Sequence, residues 1–173
     1  MLLSGRPGRC QIGVGHQTIQ TMAQREISLL FVCSGNTCRS PMAAALAHHF
    51  ATSRSSSAPR VVAASAGISA TGGAPMTPEA VAALKRLGVE PGPHRSRLLT
   101  REDISAADWI YCMTPVHREA VVALDHDAAA TTQTLDRAGV GVPDPIGGAQ
   151  SFYDEVARLI AGLVAERMQE LDR

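Results

Sequence analysis

The chain has few aromatic residues and no formal net charge. Only 3% of its 173 residues are Phe, Trp or Tyr, and its 16 Lys and Arg residues balance 16 Asp and Glu residues. A neutral chain has no electrostatic basis for binding nucleic acid or an anionic membrane, so we expect neither as a partner. There is also no run of 18 apolar residues, which a membrane-spanning helix would need. These absences favour a single globular domain, for which this length is sufficient.

Cysteine is scarce as well, and the chain has only Cys10, Cys33, Cys38 and Cys112. The four do not have the spacing of metal-binding cysteines, and a domain of this size does not need a disulfide framework. We therefore expect neither a metal nor any other cofactor. An activity that depends on a free thiol would suit a reducing compartment, so the sequence favours the cytoplasm. Nothing in the sequence indicates an oligomeric state.

The first 26 residues differ from the rest of the chain in composition. They contain four glycines, no sustained apolar period, and three arginines against one acidic residue. We predict a flexible N-terminal extension over residues 1–26 and one folded domain over residues 27–173. Cys10 lies in the predicted extension, and we expect it to have no chemical role.

The most informative stretch, residues 31–42, joins a predicted strand to a predicted helix. The apolar residues 27–32 form a short run that is typical of a buried strand. The alanine-rich residues 42–50 predict a helix, with Ser40 as its N-cap and Pro41 in its first turn. The glycine, asparagine, threonine and serine between them favour a tight turn.

This turn has the composition of an anion-binding site with a nucleophile at its edge. Its backbone N–H groups and the helix N-terminus after it would surround one anion. The same groups, together with the Arg39 guanidinium, would stabilise the thiolate form of Cys33. Arg39 can hold two oxygens of a phosphate, and Ser40 can donate its hydroxyl to the sulfur. A buried, inert cysteine beside a surface arginine would not explain the Gly–Asn turn or the Ser–Pro helix start.

The remainder of the chain alternates between predicted strands and predicted helices. Strands are expected at residues 60–67, 108–114 and 131–135, and helices are expected to begin at Thr77–Pro78, at Pro115 and near Ser151. This alternation predicts an α/β fold with a parallel sheet, which binds ligands at the carboxyl ends of its strands. Because Cys33 and Asp144 both follow predicted strands, they can meet at that edge.

The segment 32–41 resembles the signature of the low-molecular-weight protein-tyrosine-phosphatase family. The family pattern is C-x-G-N-x-C-R-S-P, and this sequence matches every fixed position, although Ala44 stands where many members have Glu. The resemblance implies a single domain with a four-stranded parallel sheet in the order 2-1-3-4 and helices on both faces. It also implies a phosphate-binding loop formed by Ser34, Gly35, Asn36, Thr37, Cys38 and Ser40.

Asp144–Pro145 resembles the D-P loop of the same family, which implies that Asp144 is the general acid. In the implied mechanism Cys33 attacks phosphorus while Asp144 protonates the leaving atom, and a cysteinyl-phosphate forms. Asp144 then activates the water that hydrolyses this intermediate, and Arg39 stabilises the transition state. The implied activity is hydrolysis of phosphotyrosine in phosphorylated protein substrates.

The substrate pocket leaves an alternative open. Tyrosine-specific members usually line the cleft with aromatic residues, whereas this sequence offers only Tyr153 as a predicted rim aromatic, and Ile146 follows the D-P pair. Thr37 stands where tyrosine phosphatases often have Ile. Thr37 and Gly147–Gly148 resemble the bacterial protein-arginine-phosphatase branch, and a leaner, more polar wall would suit a guanidino-phosphate. Phosphoarginine is therefore the alternative substrate.

Two further classes of function fit the loop less well. Arsenate reduction needs extra cysteines to shuttle a disulfide, and only Cys112 lies outside the loop and the extension. A silent phosphoprotein-binding module would lack Cys33, Arg39 or Asp144, and all three are present. The family resemblance also supports a redox role for Cys38, which could form a protective disulfide with Cys33 after oxidation.

Overall fold

The computed structural model describes residues 25–55 and 58–171. The elements along the chain are β1 (Glu26–Cys33), α1 (Arg39–Thr52), β2 (Arg60–Gly67), α2 (Pro78–Arg86), α3 (Arg101–Ser105), β3 (Trp109–Cys112), α4 (Pro115–Leu124), a 3-10 helix (His126–Ala130), β4 (Thr132–Thr134) and α5 (Gln150–Glu170). The predicted extension over residues 1–26, including Cys10, lies outside the described residues except for Arg25 and Glu26. Glu26 opens β1, so the first strand begins one residue earlier than predicted.

The four strands form one parallel sheet in the order β2-β1-β3-β4, which confirms the predicted α/β fold and strand order. β1 lies inside the sheet, and its last residue, Cys33, is opposite Gly67 at the end of β2. Parallel strands place their carboxyl ends at the same edge of the sheet. The loop after Cys33 therefore begins where a sheet of this kind binds its ligand.

Helices cover both faces of the sheet, as predicted. Alternate residues of β1 point to opposite faces. Leu29 and Phe31 belong to a large apolar cluster with residues of α1, α2 and α5. Leu30 and Val32 belong to a smaller cluster with residues of α3, α4 and the 3-10 helix. None of these four side chains is more than 2% exposed, so β1 supports the loop after it as a strand packed on both sides.

Helix α1 begins at Arg39, two residues before Pro41, the predicted first residue of the helix. Cys38 is its N-cap residue, and the Met42 N–H donates to the Cys38 carbonyl oxygen over 3.0 Å. Ser40 therefore lies inside the helix, and the prediction that it is the N-cap is wrong. Its hydroxyl group is used instead by the Cys33 sulfur, so tertiary contact within the loop overrides the local capping preference.

The starts of α2 and α4 were predicted, whereas α3 and the 3-10 helix were not. Thr77 caps α2 and Thr114 caps α4, each by accepting from an N–H three residues later, and each is followed by a proline. The short α3 and the 3-10 helix were not predicted, because five residues are too few to show helical periodicity. Within residues 25–55 and 58–171, no helix has both the length and the apolar character needed to cross a lipid bilayer.

Candidate active site

The predicted nucleophile, Cys33, ends β1 and is 2% exposed. Its Sγ lies 2.9 Å from Ser40 Oγ, and the Asn36 N–H donates to the sulfur over 3.3 Å. Asn36 Nδ2 donates to Ser40 Oγ over 2.9 Å, and the Ser40 hydroxyl has two acceptors within reach, the Cys33 sulfur and, at 3.4 Å, the Ala66 carbonyl oxygen. The contact between Ser40 and Cys33 that the sequence predicted is therefore present, and two donors can stabilise a thiolate there.

Asn36 holds the loop in a backbone conformation that few residues adopt. Its φ is +55°, and its side chain is fully buried. Nδ2 donates to Ser40 and Ser65, Oδ1 accepts from the Arg97 N–H, and His94 Nε2 donates to the Asn36 carbonyl oxygen. These contacts occupy the amide of Asn36. The side chain therefore braces the loop through contacts with the protein, and the part of Asn36 in phosphate binding remains a prediction.

Other residues of the loop offer backbone donors for an anion. Among the described residues, no backbone carbonyl accepts from the N–H groups of Ser34, Gly35, Thr37 or Cys38. These groups precede the N-terminus of α1, where the helix dipole also favours negative charge. The loop thus has the donor set that phosphate binding requires, and direct phosphate contacts at these four residues remain a prediction.

Arg39 and Asp144 are in direct contact, although 105 positions separate them in the sequence. Arg39 is 4% exposed, its Nη2 lies 2.5 Å from Asp144 Oδ2, and its Nη1 donates to the Val142 carbonyl oxygen over 3.3 Å. The Val142 N–H donates to the Met113 carbonyl oxygen over 2.7 Å. The loop that carries Asp144 is therefore held at the end of β3, and Asp144 lies beside Arg39, the predicted phosphate clamp.

Tyr153 does not line the pocket rim, so that prediction is wrong. The residue is 2% exposed, and its Oη lies 3.6 Å from the Cys38 Sγ atom. Burial raises the pKa of Tyr153 to about 12, and the hydrogen bond with Cys38 adds to the shift. Tyr153, Val156 and Ile160 follow a helical spacing of three and four residues, and all three are buried on the same side of α5. Amphipathic packing therefore places the ring beneath the loop.

The other two predicted pocket residues are Ile146 and Thr37. Ile146 is 59% exposed, and its N–H donates to Asp144 Oδ1 over 3.3 Å, so it lies directly beside the predicted general acid. Thr37 is half-buried in the loop, with its Oγ1 atom 3.6 Å from Cys38 Sγ. The positions agree with a place near the mouth of the site, and the effects on substrate choice remain predictions.

His117 is a site residue that the sequence analysis missed. It is 4% exposed, its Nε2 lies 2.9 Å from Ser34 Oγ, and its Nδ1 lies 2.8 Å from Thr114 Oγ1. Burial, and then the charge of Arg39, lower the pKa of His117 to about 4, so the ring is neutral at neutral pH. The one signal in the sequence was its place in the first turn of the helix after the third strand, which is at the edge of the sheet that carries the site.

Cys112 has no access to the site chemistry. The residue is fully buried at the end of β3, and burial raises the pKa of its thiol to about 12. A thiol of this kind is not available to attack a disulfide. This weighs against arsenate reduction through Cys112, the alternative that the cysteine count had left open.

Comparisons with known proteins agree with this geometry. A model of the low molecular weight phosphotyrosine protein phosphatase family matches residues 28–173. A protein-arginine-phosphatase of Geobacillus stearothermophilus is 38% identical over 149 residues, which are 82% of this chain and 95% of that protein. The low molecular weight protein-tyrosine-phosphatase Ptp of Acinetobacter johnsonii is 32% identical over 140 residues, or 80% and 94% of the two chains. A crystal structure of a YwlE mutant from Bacillus subtilis matches with a TM-score of 0.79 and 30% identity, over 85% of this chain and 99% of that one.

The family match therefore includes the whole phosphate loop, the loop of Asp144 and all four strands except the first two residues of β1. Cysteine-dependent phosphatase chemistry through a cysteinyl-phosphate is general to the family. The resemblance inferred from the loop motif is confirmed, and this chain belongs to the low molecular weight phosphotyrosine protein phosphatase family.

Proposed function

We propose that this protein removes phosphate from phosphorylated side chains of other proteins, with Cys33 as nucleophile, Arg39 as phosphate clamp and Asp144 as general acid. The observation that supports the proposal most is the contact between Arg39 and Asp144 beside the Cys33 loop. It brings three groups from two distant loops to one edge of the sheet. Each of them has a distinct part in phosphoryl transfer.

In the first step, the Cys33 thiolate attacks phosphorus, and the bond from phosphorus to the leaving atom breaks. Arg39 and the loop N–H groups hold the non-bridging oxygens, where charge is greatest in the transition state. Asp144 gives its proton to the leaving atom.

In the second step, water hydrolyses the cysteinyl-phosphate. Asp144, now a carboxylate, accepts a proton from the attacking water, and the bond from phosphorus to Cys33 Sγ breaks. The Ser40 hydroxyl, 2.9 Å from the sulfur, stabilises the departing thiolate. Inorganic phosphate is released, and the enzyme returns to its starting state.

Two phosphorylated side chains are candidate substrates. Phosphotyrosine is the substrate named in the description of the family, and protein-arginine-phosphatase is the name of a relative that is 38% identical. The buried position of Tyr153 removes the aromatic ring that the sequence had placed at the rim, and the exposed residue beside Asp144 is the aliphatic Ile146. A less aromatic wall, with the Thr37 hydroxyl in the loop, favours phosphoarginine as the second candidate.

The test is a comparison of kcat/KM on two peptides of one sequence that differ only in carrying phosphotyrosine or phosphoarginine. Turnover of either peptide supports the proposal, and the ratio decides the substrate. The Cys33→Ser variant is the matched control, because it keeps the loop and Arg39 but has no thiolate. Full activity in that variant, or no turnover of either peptide by the wild-type protein, would contradict the proposed function.

We infer a cytoplasmic location from the same chemistry. A thiolate that must attack phosphorus has to remain reduced, and reducing conditions are a property of the cytoplasm. Fractionation of the cells that produce the protein, followed by immunoblotting, tests this inference.

A further inference from the structure

We propose that His117 is a positioning residue that fixes the loop of the nucleophile relative to the loop of the general acid. The inference rests on the proposed function, because it assigns a task within the same reaction. It starts from the geometry of the imidazole ring, whose two nitrogens bind hydroxyl groups from two different parts of the site.

On one side, His117 holds the residue that follows the nucleophile. His117 Nε2 lies 2.9 Å from Ser34 Oγ, and 83 positions separate the two residues in sequence. The backbone of Ser34 is held elsewhere, because its carbonyl oxygen accepts from the Ser69 N–H over 3.0 Å. Ser34 is thus attached through its backbone to the segment after β2 and through its side chain to α4. Moving it would move the Cys33 sulfur, which is in the adjacent residue.

On the other side, His117 binds the side chain of Thr114, a residue against which the Asp144 loop packs. His117 Nδ1 lies 2.8 Å from Thr114 Oγ1. Gly141 packs closely against that backbone: a Cβ atom added there would lie 3.1 Å from the Met113 carbonyl oxygen and 3.2 Å from Thr114 Cα. The Val142 N–H also donates to the Met113 carbonyl oxygen. Residues 141–142 therefore sit on Met113 and Thr114, and His117 binds the second of these two residues.

Together these contacts make a short path from one reactive group to the other. It runs from Ser34 through the ring of His117 to Thr114, and from there through residues 141–142 to Asp144. The ring is neutral at neutral pH, so one nitrogen donates and the other accepts, and both are used by hydroxyl groups. His117 thus acts through its neighbours and does not itself exchange a proton with substrate. A small displacement of reacting groups is enough to slow an enzyme considerably.

Replacing His117 with glutamine or with asparagine distinguishes this positioning role from general support of the fold. In His117→Gln the amide can occupy the place of Nε2 and keep the bond to Ser34. In His117→Asn it can occupy the place of Nδ1 and keep only the bond to Thr114. We expect His117→Asn to lower kcat by about tenfold to a hundredfold on an aryl phosphate with a poor leaving group. The fall in kcat should be smaller for a substrate with a good leaving group, and KM should change little. His117→Gln should retain most of the activity.

Two further variants make the test complete. Ser34→Ala removes the same hydrogen bond from its other end and keeps the Ser34 N–H, so it should reproduce the loss seen in His117→Asn. Combining it with His117→Asn should add little, because both changes break one interaction. His126→Asn, an exposed histidine of the 3-10 helix, is the control and should behave as the wild type.

Several results would overturn the proposal. Equal losses in His117→Gln and His117→Asn, unchanged kcat in both, or additive effects of Ser34→Ala and His117→Asn would each do so. A fall in kcat that is the same for good and poor leaving groups, and that correlates across the variants with a lower midpoint of unfolding, would also overturn it. Failure of the proposed function is a separate result, because the wild-type protein would then be inactive on the aryl phosphates as well.

Discussion

Arg39 Nη2 lies 2.5 Å from Asp144 Oδ2, so the arginine that would bind phosphate is also the ion-pair partner of the predicted general acid. The guanidinium is almost fully buried, whereas 41% of the Asp144 side chain is exposed. The carboxylate therefore approaches the arginine from the open side of the site. We therefore expect a phosphate that enters the loop to share Arg39 with Asp144, which would couple binding to catalysis through this one contact.

Replacing Asp144 with Asn should separate these two effects. Turnover of a substrate with a poor leaving group should fall by roughly 10²–10⁴, the usual size of general acid–base catalysis. Binding of inorganic phosphate should be unchanged or tighter, because the neutral amide competes less for Arg39. Steady-state kinetics and competitive inhibition by phosphate measure both. Asp127→Asn, in the exposed first turn of the 3-10 helix, is the control. Weaker phosphate binding in Asp144→Asn would contradict the shared role of Arg39.

Thr37→Ile tests the proposal that this residue selects the substrate. An isoleucine removes the hydroxyl group and adds apolar surface to the pocket. The value of kcat/KM for a phosphoarginine peptide should therefore fall relative to that for the matched phosphotyrosine peptide. The measurement is the ratio of the two values in the variant and in the wild type. If the ratio does not change, Thr37 does not discriminate between the two substrates.

Oxidation should produce a reversible Cys33–Cys38 disulfide. The two sulfurs belong to one tight loop, and Cys38 Sγ is buried against Thr77 Oγ1 and Tyr153 Oη. Peroxide should inactivate the enzyme and dithiothreitol should restore it, because disulfide formation blocks irreversible sulfinic oxidation. In Cys38→Ser the same treatment should cause damage that dithiothreitol does not reverse.

Cys112→Ser is the matched control for this experiment, since burial raises the pKa of its thiol to about 12. We expect it to be inactivated and restored as the wild type is. Peptide mass spectrometry of the oxidised protein identifies the bridge. A bridge from Cys33 to Cys112, or full recovery of Cys38→Ser, would show that Cys38 is not the resolving thiol.

Gly67 should tolerate no side chain, because it supports the loop from β2. A Cβ atom at this position would lie 2.4 Å from the Ser34 carbonyl oxygen and 3.0 Å from the Asn36 backbone nitrogen. Gly67→Ala must therefore displace the phosphate loop, and kcat/KM should fall by about tenfold or more. In contrast, Gly162→Ala meets no atom within 4 Å in the middle of α5. It should keep full activity and gain up to about 1 kcal/mol in stability. Normal activity of Gly67→Ala would contradict this account of the loop.

His117 should make the protein less stable in mild acid. Burial lowers its pKa in the folded protein to about 4, compared with about 6.5 in the unfolded chain. As the pH falls from 6.5 to 4, the unfolded chain takes up a proton that the folded protein does not, so unfolding becomes more favourable. Hydrogen bonds from Gln150 and Arg86 lower the pKa of Asp154, so the stabilisation from this carboxylate is lost only at still lower pH.

The measurement is the urea midpoint at pH 7 and at pH 4.5. It should decrease in the wild type, and it should decrease less in His117→Gln, because the glutamine at this position does not titrate. An equal decrease in the two proteins would show that His117 does not control stability in this interval.

Much of the fold and the chemistry of the loop were predictable from local sequence. Strand β2 has the predicted limits, and the helix starts predicted at Thr77–Pro78 and at Pro115 agree with those of α2 and α4. Alternating strands and helices were enough to predict a parallel sheet, and the position of Asp144 after a strand was enough to predict that it meets the loop of Cys33. These features depend on spacing, propensity and the common edge of parallel strands, which short segments carry by themselves.

Other features were decided by contacts between residues far apart in the chain. Tyr153 is in the core because α5 turns that side of the helix toward the sheet. Asn36 is enclosed by partners from two other segments, β2 and the loop of residues 94–97. His117 binds Ser34 across 83 positions, and no local pattern around either residue indicates that bond. The local sequence determines which chemical groups are available to the site. Which of them face the substrate, and which brace the site, depends on how the helices pack, and this is a property of the assembled fold.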